Sequence, residues 1–185
     1  MNATHLTRPM AGFGIVLIAS LLLPGCQSIP LQGGINDRGE KVYLSEKREI
    51  PDAIAAFAKS QDLESEEGRI NYLLQRVRNS KLTYIRNNEC YTNAEAAEFL
   101  RWKMHRPRWE PLVHTARDFV IIVSGGSMTS GLPYHAVFSA TEHRELKAIL
   151  INELDFLEEF LKEQKAAASA TPAVQSEQSQ VIENK

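Results

Sequence analysis

From Glu142 to Gln164 the chain reads as one long helix with its apolar residues on a single side. Leu146, Ile149, Leu150, Leu154, Leu157 and Leu161 recur at helical spacing, and Phe156 and Phe160 widen the stripe. A stripe of that length cannot stay in water, so shorter elements upstream must pack against it.

Those elements can be found by their start and stop signals. Ile70, Leu73, Leu74 and Val77 predict a helix with one buried face, opening the compact part of the chain near Glu66. "LTYIRNNECY" alternates and is rich in β-branched and aromatic residues. Asn87-Asn88 tolerate positive φ, so a tight hairpin is expected between Leu82–Arg86 and Glu89–Tyr91. Thr92-Asn-Ala-Glu95 is a capping box. It predicts a helix from Asn93 to His105, with Ala97, Leu100 and Met104 inward and Pro107 as its stop. Thr115-Ala-Arg-Asp118 repeats the signal for a helix through Phe119, Ile122 and Val123 that ends at Gly125-Gly126. Tyr134–Phe138 reads as a strand. The expected fold is α+β: four helices, one short antiparallel hairpin and one further strand in a small domain spanning 66–165. The final segment, 166–185, is small and polar and is expected to be disordered.

Upstream of this domain the sequence changes character. Gly12 to Leu23 is mostly apolar and is preceded by a single positive side chain, Arg8. The run is short for a membrane span and suits the apolar centre of a signal peptide. Pro24 and Gly25 break a helix and expose the backbone to a peptidase. Leu23-Pro24-Gly25-Cys26 resembles the lipobox of bacterial lipoproteins. That resemblance implies a diacylglyceryl group on the Cys26 thiol and cleavage of residues 1–25. Gln27 stands where an Asp would mark inner-membrane retention, which leans toward the outer membrane and its periplasmic face. Residues 26–65 hold Gly33-Gly34, Gly39 and many charges and read as a flexible tether, with a short strand at Lys41–Leu44 and a short helix over Asp52–Ser60 after Pro51. With Cys26 acylated, Cys90 has no disulfide partner and is expected as a small buried side chain.

Taken together, "INYLLQRVRNSKLTYIRNNECYTNAEAAEFLRWKM" and "TARDFVIIVSGGSMTSGLPY" resemble the YfeK-like family of small exported bacterial proteins, which carry a domain of unknown function. The matching elements are a helix ending in Ser, an aromatic-Ile-Arg-Asn turn followed by Tyr, Ala-Ala-x-x-Leu-Arg-x-Lys, Thr-Ala-x-Asp-Phe and a Ser-Gly-x-Pro-Tyr loop, over Gly68–Leu161. The resemblance implies export and a fold unit. It implies no activity and no catalytic residue.

Three groups of residues could carry chemistry. The loop Ser124-Gly-Gly-Ser-Met-Thr-Ser-Gly131 offers backbone N–H groups and Ser127, Thr129 and Ser130 to an anion, but follows a helix and lacks a Walker lysine or a G-x-S-x-G elbow. Arg86, at the hairpin turn, and Arg101 are candidate anion clamps. Arg101 and Lys103 lie two apart on one helix, so they face different ways, and one is expected to pair with Asp118 or Glu98. "RWKMHRPRWEP" sets Trp102 and Trp109 among Arg106 and Arg108, which suits a membrane interface, a lipid phosphate or an acidic glycan. His105, His114, His135 and His143 show neither HExxH nor i, i+4 pairing, and neither cysteine lies in a CxxC, so no metal site and no cofactor is expected. A net charge of −2 gives no reason to expect nucleic acid. The function expected is therefore a membrane-anchored envelope module that binds an envelope protein, a lipid headgroup or a glycan and has no catalytic residue. The other reading is an envelope hydrolase using loop 124–131 with His135 or His114.

Overall fold

A computed structural model of the chain describes residues 31–170. The signal segment, Cys26 and most of the tail expected to be disordered lie outside them. The architecture is α+β, with a five-stranded sheet in the order β1-β5-β4-β2-β3 and helices packed on it. Only the two-residue β1 (Leu31–Gln32) is parallel to its neighbour; the other pairings are antiparallel. The helices are α1 (Ile50–Ala58), α2 (Glu66–Asn79), α3 (Asn93–Met104), α4 (Ala116–Asp118) and α5 (Leu146–Ala170).

The local signals fold as they read. In the hairpin, β2 (Thr83–Arg86) pairs with β3 (Glu89–Tyr91), and Asn87 and Asn88 both take positive φ, 52° and 66°. Both capping boxes close. Thr92 Oγ1 accepts from the Glu95 N–H while the Glu95 carboxylate accepts from the Thr92 N–H at 2.8 Å. Thr115 and Asp118 do the same at the start of α4. Leu73, Leu74, Val77, Leu100, Ile149, Leu150, Leu154 and Leu157 meet in one core.

Three segments depart from expectation. The last helix begins at Leu146, not at Glu142, and runs to Ala170, beyond the expected start of the tail at 166. Residues Glu142–Glu145 form β5, which pairs with β4 (His135–Ser139). The charged β5 gives no apolar alternation because its inward residue is Arg144. That guanidinium, buried, donates to the Gly33 and Ile35 carbonyls at 3.0 and 2.9 Å and to Glu142 at 2.6 Å.

The segment expected to be a tether over 26–65 is folded onto the body along its described part. Tyr43, Leu44, Ile50, Ile54, Phe57 and Leu63 are buried in the same core. No strand forms at Lys41–Leu44, where Lys41 makes one isolated bridge with Ile35. Polar groups of α5 hold the segment instead. Asn152 donates to the Gly34 and Val42 carbonyls, and the fully buried Glu153 accepts from the Leu44 N–H at 2.8 Å. Glu153 also takes a two-pronged bond from Arg76 of α2, at 2.9 and 3.1 Å. The compact body therefore starts well before residue 66.

The third departure is at α4. After one α-turn, Phe119–Val123 widens into a π-helical turn, closed by the Ser124 N–H on the Phe119 carbonyl at 3.2 Å. Ser124 Oγ donates to the Val120 carbonyl at 2.6 Å, and the Val123 carbonyl is drawn away by Lys103 of α3. Wide turns of this kind are frequent at functional sites.

Candidate functional site

Lys103 stands at the junction of α3, the π-turn, the loop after it and β4. It falls in register with Ala96 and Leu100 on the buried face of α3. Among the described residues its ammonium group pairs with no carboxylate. It donates to the Val123 carbonyl at 2.7 Å, the Gly126 carbonyl at 2.8 Å and the Tyr134 hydroxyl at 3.3 Å, using all three N–H bonds. The ring faces of Trp109 and Tyr134 lie 4.8 and 4.9 Å away. A cation here neutralises the negative end of the π-turn, where carbonyls have no partner in the next turn. Burial, then the positive field of Arg86, bring its pKa down from 10.5 to about 8.

Around this post, cations and aromatic rings alternate. Arg86, at the end of β2, lays its guanidinium 4.1 Å over the Phe99 ring and 5.6 Å from Tyr91. Phe99 is 5.7 Å from Trp102 and 5.8 Å, edge-on, from Tyr134. Arg106 covers Trp102 at 5.0 Å, and Arg108 lies 5.6 Å from Trp109. Beneath Arg86 a small apolar cavity of about 30 Å3 opens among Tyr84, Phe99, Leu100 and Tyr134.

The partners of the arginines sort them into two classes. Arg38, Arg48, Arg69, Arg76, Arg78, Arg117 and Arg144 each pair with a carboxylate. Among the described residues, Arg86, Arg101, Arg106 and Arg108 do not, and three of these four rest on the aromatic rings just named. No acid lies between Glu98 and Glu110 in the sequence. The result is a surface rich in cations, with exposed Arg106 and Arg108 and a half-buried Arg86 backed by rings. It is bordered by Glu89, which bonds Tyr91, and Glu110, which faces His105.

The expected sites are partly brought together. Arg86, Trp102, Arg106, Arg108 and Trp109 share this surface. Arg101 does not join it. It leaves α3 on the other side and donates to Asn71 of α2 at 3.2 Å. Neither Arg101 nor Lys103 pairs with Asp118 or Glu98, because Asp118 is held by its own cap and Glu98 by Arg78.

The loop after the π-turn is folded on itself. Ser127 N–H donates to the Leu132 carbonyl, Gly131 N–H to the Ser127 carbonyl, and the Ser130 hydroxyl to Asn87 at 2.6 Å, which ties the loop to the hairpin. The buried Ser127 hydroxyl accepts from the Ser130 N–H at 3.4 Å. Thr129 is exposed at the tip. Gly126 is required: its φ is 155°, and a Cβ there would meet the Leu132 carbonyl at 2.7 Å. His114 donates only its backbone N–H, to Asp118, and Nε2 of His135 is buried with no partner, burial holding that ring below its ordinary pKa.

Cys90, expected to be buried, is exposed, because β3 is the outer strand of the sheet. Lys103 is expected from the sequence as a candidate partner for a carboxylate; what sequence reasoning missed is that it is buried and bonds carbonyl groups instead. Its spacing from Ala96 and Leu100 was the available signal, since a lysine in an apolar register needs a buried partner.

No curated protein and no solved structure matches the chain. Residues 64–158, just over half of it, match a family of unknown function, DUF5329, and that span runs from the start of α2 into α5 and includes the whole cation–aromatic surface. The chain therefore belongs to the DUF5329 family, described as a family of unknown function.

Proposed function

We propose that this chain is a lipid-anchored protein of the bacterial cell envelope whose folded body is a non-catalytic binding module for an anionic ligand. The lipobox-like Leu23–Cys26 and the resemblance to the YfeK-like exported proteins support the location: an acyl-modified Cys26 at the outer membrane, with the body in the periplasm. The observation that carries the binding reading is the segregation of the arginines. Among the described residues, the carboxylate-paired arginines are Arg38, Arg48, Arg69, Arg76, Arg78, Arg117 and Arg144, while Arg86, Arg106 and Arg108 pair with no carboxylate and lie over aromatic rings. Stacked guanidinium groups present a flat row of donors that fits phosphate or carboxylate oxygens.

Two measurements test it. Metabolic labelling with palmitate should mark the protein and fail on Cys26→Ser; an unlabelled wild type overturns the location. The full chain should be retained on phosphocellulose, and Arg106→Ala/Arg108→Ala should elute at clearly lower salt than Arg38→Ala/Arg48→Ala, which loses the same charge elsewhere. Equal elution of the two variants overturns the binding site. Labelling by a serine-directed covalent probe that is lost on Ser127→Ala overturns the non-catalytic reading.

A further inference from the structure

Each ring on this surface already carries a cation, while Trp102 stays 56% exposed. Phe99 and Trp102 carry Arg86 and Arg106, and Trp109 carries Lys103 and Arg108. A ligand that stacks on bare rings, as a sugar does, would have to compete with those cations for the faces they occupy. What faces outward is guanidinium N–H and, beside it, apolar side chains. Among the described residues there are six exposed large hydrophobic side chains, and five of them are Trp102, Leu112, Ile121, Met128 and Leu132. All five lie on segments that converge on Lys103. Trp102 is its neighbour in α3, the Leu112 N–H donates to the Trp109 carbonyl at 2.8 Å, and Ile121, Met128 and Leu132 belong to the π-turn and the loop that Lys103 holds.

We infer that this face docks on an anionic phospholipid bilayer, with Arg86, Arg106 and Arg108 on the headgroup phosphates and Trp102, Met128 and Leu132 at the level of the glycerol and upper acyl chains. Three arginines that bond no carboxylate among the described residues, two tryptophans and a fringe of apolar side chains together suit an interface that is charged at its surface and apolar a few ångströms below. A soluble polyanion would satisfy the arginines and leave the apolar fringe in water. An acidic protein would do the same unless it carried a matching apolar patch. The inference rests on the anion-binding reading above and names its ligand. The proposed anchor also brings the surface into reach. Cys26 precedes β1 by five residues, at most about 18 Å of chain, and β1 is the opposite edge of the sheet from β3, four strand spacings or about 19 Å away. A body held at one edge can lay the other edge on the same membrane.

The full chain with Cys26→Ser, which carries no acyl group, isolates this face from the anchor. Its partition onto vesicles containing about a third anionic lipid is compared with partition onto neutral vesicles, so that the apolar N-terminal segment contributes equally to both. The anionic-to-neutral ratio should fall about 20- to 30-fold in Arg106→Ala/Arg108→Ala, about fivefold per arginine, and little in Arg38→Ala/Arg48→Ala. Both tryptophans of the chain lie in this face, so brominated anionic lipid should quench native fluorescence in the wild type and not in the double variant. Equal losses in the two double variants, or no quenching on bound vesicles, overturn the inference. Retention on phosphocellulose without preference for anionic vesicles also overturns it and leaves the anion-binding reading standing. Loss of both takes the two down together. Millimolar inorganic phosphate that displaces the protein from vesicles as well as an equal ionic strength of chloride does supports a surface-field interaction; displacement by phosphate at far lower ionic strength points to a discrete phosphate site and overturns bilayer docking.

Discussion

Replacing Lys103 with Met tests the post on which the surface is built. The side chain is 4% exposed, and the thioether keeps most of its packing volume. What is lost are the bonds to the Val123 and Gly126 carbonyls and the Tyr134 hydroxyl. Tyr134 can turn its hydroxyl elsewhere, but the Val123 carbonyl ends the π-turn and the Gly126 carbonyl lies in the loop after it, and both lose the donor they bond. An unsatisfied buried acceptor costs about 1–3 kcal/mol. Two cost about 2–4 kcal/mol after allowing for the relief of no longer burying a cation. Urea midpoints at pH 7.5 should show that loss without a change in slope. The pH dependence gives an independent check of sign. The folded lysine releases its proton near 8 and the unfolded one near 10.5, so between those values the unfolded state binds more protons. The Lys103 contribution to stability therefore rises with pH through that window, by at most about 3 kcal/mol. The gap between wild type and Lys103→Met should widen from pH 7.5 to pH 10. A variant within 0.5 kcal/mol of wild type, or a gap that stays constant across that range, refutes the account of Lys103 as a buried cation bridging carbonyl groups.

Glu153→Leu should cost about 3–5 kcal/mol, because it strands the Arg76 guanidinium in the core, and the double change Arg76→Met/Glu153→Leu should recover most of that; a cost below 1 kcal/mol for the single variant in urea unfolding would count against the charge-pairing argument. Thr92→Ala and Thr115→Ala should each cost about 1 kcal/mol as lost caps, read as a drop in thermal midpoint, and an unchanged midpoint would mean the capping boxes do not form. Cys90 should react with a maleimide in the native state at a rate close to that of the unfolded chain, in a Cys26→Ser background that leaves it as the only thiol; protection until denaturation would show β3 to be covered.

The parts of this fold that could be read in the sequence are those fixed by neighbours in the chain. Thr92 with Glu95, Thr115 with Asp118, and Asn87-Asn88 each satisfy their own backbone within four residues, so the local pattern suffices. Strand β5 could not be read that way. Its identity rests on Arg144 reaching the carbonyls of Gly33 and Ile35, more than a hundred residues distant, and three charged residues and a histidine beside a leucine-rich helix look like the helix's first turn. The segment after β1 is the same case. Tyr43 and Leu44 are buried where Asn152 and Glu153 project from α5 to bond the Val42 carbonyl and the Leu44 N–H, and nothing within the segment announces that partner.

The candidate site divides along the same line. The residues of "RWKMHRPRWEP" stand together in the sequence, and their chemistry can be listed from it. Whether each arginine finds a carboxylate cannot, because that is settled by tertiary neighbours. Arg78, Glu98 and Arg101 line one surface groove between α2 and α3, yet only Arg78 takes the carboxylate, and Arg101 bonds an amide. Among the described residues, Arg86, Arg106 and Arg108 bond no carboxylate and each is stacked on a ring instead, although Glu89 is the cross-strand partner of Arg86 and Glu110 follows Arg106 by one turn; Glu89 takes the Tyr91 hydroxyl and Glu110 faces His105. A solvated arginine gains little from a surface carboxylate, so stability alone gives weak reason to supply or withhold one. Seven arginines with carboxylates and three on a single ring-backed face make a pattern that pairwise stability does not account for. An external anion does account for it: a carboxylate already in place would have to be displaced before any phosphate could bind, and the ring beneath each guanidinium holds it in position without competing for its N–H groups.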